Sequence, residues 1–142
     1  MENALPKFRY IDHTADVGLK IYGANLAELF SNAALGLFEI IANLDKVYPY
    51  SERLINVEAT DRAALLVRWL SELNYLFFTE GEIYKEFEIV NISNTKITSR
   101  IKGEKIDEAR HEIYTEVKAV TYHDLYIKQI AQGWEAQVIF DL

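Results

Sequence analysis

Gly133-Trp134-Glu135-Ala136-Gln137-Val138-Ile139-Phe140-Asp141-Leu142 decides how the rest of the chain is read. After the turn at Gly133, Trp134, Ala136, Val138 and Phe140 alternate with Glu135, Gln137 and Asp141. A period of two marks a half-buried strand. Working back, Val117 to Ile130 is rich in β-branched and aromatic residues. Ile97 and Ile101 alternate with Thr98, Arg100 and Lys102, and Phe87 and Ile89 with Glu86 and Glu88. Only Gly103 to Ala109 reads as polar and irregular. Consecutive strand patterns with no helix between them argue against parallel βαβ units, because parallel neighbours need a crossover.

The first half adds more strands and two helices. Phe8 to Ile11 and Val17-Gly18-Leu19-Lys20-Ile21-Tyr22 read as strands joined by a polar connection, Asp12-His13-Thr14-Ala15-Asp16. Asn25 is a candidate N-cap with Glu28 three residues on; Leu26, Leu29, Phe30, Ala33, Leu37 and Ile41 then form one apolar stripe. Pro49 precedes a strand carrying Ile55, Val57 and Ala59. Thr60 or Asp61 can cap a second helix with Leu66, Trp69, Leu70, Leu73 and Phe77 inward, closed near Gly81. The pattern implies an α+β fold, a mainly antiparallel sheet with two main helices on one face. No linker or repeat interrupts residues 1–142, so a single domain is expected.

Composition limits the function classes. The chain has 142 residues, 50% of them hydrophobic and 26% charged, which suits one globular domain with a full core. Cysteine is absent, so disulfides, thiolate metal sites and thiol nucleophiles are excluded. With 22 Asp+Glu against 15 Lys+Arg the net charge is −7, and no basic field exists to grip nucleic acid directly. No run reaches the roughly 18 apolar residues of a membrane span, and the start lacks the basic and apolar regions of a signal peptide. A cytoplasmic protein without membrane contact is expected. The aromatic content, 13% with nine tyrosines, is read as core packing.

Phosphate loops, dinucleotide fingerprints, paired metal-binding histidines and nucleophile elbows are all missing from the sequence. Three places remain. Asp12 and Asp16 bracket His13 in the first polar connection, as turn residues or as oxygen donors to a hard cation. At the other end an apolar strand runs to the last residue. If docked, Asp141 and the Leu142 carboxylate put two anions side by side, and such anions repel unless a cation neutralises them. Lys118 lies in the poorly charged stretch Val117-Lys118-Ala119-Val120-Thr121-Tyr122-His123, as an edge lysine or as a cation aimed at those carboxylates or at a phosphate.

Asp12-His13-Thr14-Ala15-Asp16-Val17-Gly18, the Val117–His123 block, the Val138–Leu142 ending and Leu65-Leu66-Val67-Arg68-Trp69-Leu70-Ser71-Glu72-Leu73 together resemble the archease family over essentially the whole chain. The resemblance implies a two-layer α/β sandwich. It also implies an accessory protein, not an enzyme, for an RtcB-type RNA ligase that joins ends bearing 3′-phosphate or 2′,3′-cyclic phosphate. Such a protein promotes ligase guanylylation and multiple turnover in tRNA splicing and RNA repair, and reaches tRNA only through the ligase. It further implies a divalent cation, calcium with magnesium or manganese as alternatives, held by Asp12, Asp141 and Leu142 through its chain end. Lys118 is implied as a functional residue, with His13 and Asp16 beside it. A chaperone-like interaction protein is the alternative. A free-standing metal-dependent hydrolase ranks last, since only His13 or Asp16 could serve it as a base.

Overall fold

The computed structural model of the chain describes residues 5–13 and 16–142, with the side chains of Asp12 and His13 outside that description. The elements run β1 (Phe8–His13), β2 (Asp16–Gly23), α1 (Leu26–Ile41), β3 (Ser51–Glu58), α2 (Arg62–Tyr75), β4 (Glu82–Ile92), β5 (Lys96–Lys105), β6 (Ala119–Val120), β7 (Tyr126–Ile130) and β8 (Gly133–Asp141). Every strand pairing among the described residues is antiparallel, so the fold is α+β as the second half predicts. The strands divide between two sheets. One has the order β1-β2-β8-β6 with β7 also on β8, and the other has the order β3-β5-β4. Both helices pack against both sheets.

The helices start where their caps allow. Asn25 Oδ1 accepts the Glu28 N–H at 2.9 Å, and Glu28 Oε1 accepts the Ala24 N–H at 2.9 Å. Asp61, not Thr60, caps α2 by accepting the Ala64 N–H at 2.8 Å. Leu29, Phe30, Ala33, Leu37 and Ile41 on α1, and Leu66, Trp69, Leu70 and Leu73 on α2, are fully buried. The Trp69 indole N–H donates to Phe30 O at 3.0 Å, so one large buried ring joins the two helices without leaving its polar atom unpaired. Gly36 lets α1 approach β2, since a Cβ there would stand 2.6 Å from Leu19 Cδ1. After α2 the chain widens into a π-helical turn, Leu76–Glu80, and stops at Gly81 in the left-handed region with φ 64°.

Two segments and the placement of the tyrosines differ from the sequence reading. The polar connection expected from Asp12 to Asp16 is mostly ladder, because β1 and β2 pair through Asp12↔Val17 and His13↔Asp16. Polar side chains at a sheet end are compatible with water while their backbone stays paired. Only Thr14 and Ala15 remain between the strands, and they lie outside the described residues. Gly103 to Lys105 are strand and not irregular, held by β3 as far as Ser51↔Gly103 and by β4 as far as Glu82↔Lys105. The tyrosines are mostly outside: six of the nine, Tyr10, Tyr48, Tyr50, Tyr75, Tyr114 and Tyr122, are exposed. A phenol can satisfy its hydroxyl in water, so aromatic content alone does not assign a face.

Candidate functional site

The sequence candidates converge on one end of the five-stranded sheet. One row across the sheet reads His13↔Asp16↔Asp141↔Ala119, and the row beneath it reads Asp12↔Val17↔Phe140↔Val120. The backbone thus brings together Asp12, His13, Asp16, Asp141 and Leu142, with Lys118 immediately before β6. Residues directly opposite in an antiparallel pair share a face, and like charges in that position repel. Asp16 and Asp141 are such a pair.

The chain end is docked. Phe140 and Val138 are fully buried, Asp141 is exposed, and Leu142 is half-buried against the core. The Lys118 N–H donates to Asp141 O at 2.8 Å. The Thr121 N–H and hydroxyl both donate to Ile139 O, at 3.0 and 2.8 Å. The exposed Lys118 ammonium and the Asp141 carboxylate make no hydrogen bond or ion pair among the described residues. The side chains of Asp12 and His13 lie outside the described ones. No group of three or more His, Asp or Glu gathers at metal-binding range among the described residues. Among the described residues, Asp16 and Asp141 are carboxylates set opposite each other at this sheet end, the hard-oxygen type of donor that calcium, magnesium or manganese takes.

Two features that the sequence reading missed hold this end in place. Asn74 on α2 is buried, and its Nδ2 donates to Val117 O at 2.8 Å, fixing the residue before Lys118. Further back, Glu104 is buried and accepts four donors. These are the Tyr48 N–H at 2.7 Å, Arg110 Nη1 and Nη2 at 2.8 and 2.6 Å, and His111 Nε2 at 3.0 Å. Because the Asp107 N–H donates to His111 Nδ1 at 2.9 Å, Nε2 is the protonated nitrogen. The Arg110 guanidinium, helped by Tyr48 N–H and His111, outweighs burial and holds the Glu104 carboxyl down at about 2. The segment then continues along the end of α1, with Tyr114 N–H on Ile41 O at 2.7 Å. Scattered single charges such as Glu104 and His111 have no period that would signal this network.

These features define a class: a small α+β protein whose last strand sets Asp141 opposite Asp16 at one sheet end, beside Lys118. Residues 8–142 match the model of the archease protein family (MTH1598/TM1083), and the chain belongs to that family. Protein archease of Methanosarcina barkeri is 41% identical over 140 residues, which cover 96% of each chain. That of Pyrococcus abyssi is 38% identical over 143 residues, 97% of this chain and 100% of the relative. The solution structure of Methanobacterium thermoautotrophicum protein 1598 matches with a TM-score of 0.78 at 36% identity, over 96% of this chain and 99% of that one. An archease from Thermotoga maritima, described as a possible chaperone, shares the fold with a TM-score of 0.60 at 23% identity, over 100% and 99% of the two chains. No described helix is long and apolar enough to cross a membrane.

Proposed function

We propose that this protein activates an RtcB-type RNA ligase, promoting its guanylylation and multiple turnover in tRNA splicing and RNA repair. The chain itself is not the enzyme, and tRNA is reached through the ligase in the cytoplasm. The single observation that carries this reading is the Asp16–Asp141 row beside Leu142 and Lys118, on a chain of net charge −7. An acidic end is attracted to a basic, phosphate-binding pocket. Asp12, Asp141 and the Leu142 carboxylate would hold a divalent cation, calcium or alternatively magnesium or manganese, with Asp16 adjacent. When bound, that cation supplies charge neutralisation at phosphate oxygens. Asp141 is positioned by its pairing with β2 and β6, and Lys118 offers a cation to a phosphate or to the carboxylates.

The test mixes the chain with the ligase from the same source and follows guanylylation with GTP. Faster guanylylation is expected with the native chain, and no acceleration with folded Asp12→Ala or Asp141→Ala variants. Unchanged acceleration by both variants overturns the mechanism, and no acceleration by the native chain overturns the function. The exposed tyrosines favour one second reading, a chaperone-like interaction protein. It predicts reduced aggregation of unrelated clients, unaffected by Asp141→Ala.

A further inference from the structure

We propose that the cleft between the end of α2 and β6 receives a short acidic segment of a partner protein, with one carboxylate on Lys118 and an apolar side chain against Phe78. The cleft is about 330 Å³ and is lined by Ser71, Asn74, Tyr75, Phe78, Lys118 and Val120. Among the described residues lining it, Lys118 alone is charged, and its ammonium makes no ion pair among the described residues although the chain as a whole is acidic. Charge complementarity therefore selects an anionic occupant.

Two other observations select a peptide. β6 is an end strand of its sheet, so its outer edge has no strand partner among the described residues. An open edge beside a groove is how extended peptides are commonly taken up. Finally, Tyr75 and Phe78 are 55% and 47% exposed beside the cleft, and Ile113 and Tyr114 are exposed along an adjoining hollow that Glu116 also lines and that reaches Leu142, so the acidic segment is placed in the cleft and not in this hollow. The π-helical turn contributes to this display, burying Leu76 and Phe77 while leaving Phe78 outside. A contiguous exposed apolar patch of this kind marks an interaction site.

That the partner is the ligase rests on the reading above; the chemistry of the cleft does not. The test titrates the full ¹⁵N-labelled chain with acetyl-Asp-Leu-Asp-Leu-Asp-amide, with its asparagine counterpart, and with a 3′-phosphorylated uridine tetranucleotide. The acidic peptide is expected to shift the amides of residues 71–78 and 117–120. Its affinity is expected to fall at least about fivefold on changing to the asparagine peptide, and equally in Lys118→Gln and Phe78→Ser. Tyr75→Ser replaces Phe78→Ser if the latter misfolds. No shift of those amides by the acidic peptide overturns the proposal, and a shift by the tetranucleotide alone reassigns the cleft to RNA phosphate. Peptide binding without any acceleration of guanylylation by the native chain leaves the cleft standing and removes the ligase. Acceleration without peptide binding removes only the cleft.

Discussion

On the outer face of the three-stranded sheet, register sets acids against bases: Glu52 opposite Lys102, Glu58 opposite Lys96, and Glu88 opposite Arg100. Lys96 reaches Glu58 at 3.1 Å, and Arg100 bridges Glu52 and Glu88 at 3.2 and 3.1 Å. At the end of the five-stranded sheet, register sets Asp16 against Asp141, with the chain end next in line. The first region neutralises itself and needs nothing from outside. The second sets two like charges opposite each other at a sheet end. Between the two stands Glu104, buried and fully partnered inside the molecule. Where carboxylates meet their counter-charge, on the surface, in the interior or from a ligand, decides whether they act in stability or in function.

The comparison breaks most visibly at the acidic end. Asp141→Ala is expected to reduce acceleration of guanylylation to the level of the ligase alone and to lower calcium affinity by roughly tenfold or more. Appending one residue after Leu142 is expected to do the same, since it displaces the chain-end carboxylate. Retained calcium binding by both variants, measured calorimetrically, would place the cation elsewhere.

The interior case comes next. Glu104→Gln leaves Arg110 and His111 without their anion and is expected to destabilise the fold by roughly 3 kcal/mol in urea denaturation. Its pH dependence has a fixed sign. The folded carboxyl sits at about 2 against an ordinary 4.5, so its contribution is complete above 4.5 and is lost as pH falls toward 2. The variant should therefore lose less stability than the native chain across that window.

Calcium at a hundredfold excess over its Kd is expected to stabilise the native chain by about 2.7 kcal/mol, and EDTA to remove that gain. The smallest effect belongs to the paired face. Arg100→Gln should cost at most about 1 kcal/mol, less in high salt, and leave activation unchanged.

Much of this was legible in the sequence where a local signal exists. α1 announced itself through Asn25, Glu28 and an unbroken stripe, and β8 through strict alternation. The three segments bearing Asp12, Lys118 and Asp141 each stand out in the sequence, and the register sets them at one sheet end. What stayed hidden depends on distant partners. The division into two sheets is decided by how the strands pack on the helices, which no single strand encodes. The π-helical turn keeps Leu76 and Phe77 on an apolar face, so its widened geometry leaves no trace in the stripe. Glu104, Arg110 and His111 look like surface charges until the fold brings Tyr48 above them. Asn74 sits among the buried positions of α2, and its bond reaches Val117, 43 residues further along the chain.

The pairing of β2 with β8 also has a consequence in time. The three-stranded sheet joins β4 to β5 across a short connection and β3 to β5 across α2 and β4, so it can assemble while later residues are still being synthesised. The acidic end joins residues from nearly opposite ends of the chain, and closing so long a loop is slow and comes late. A chain truncated before β8 can therefore hold most of its strands and both helices while lacking the Asp16–Asp141 row altogether. The row that sets Asp16 against Asp141 forms only when β8 pairs with β2, after the local pairings of the three-stranded sheet.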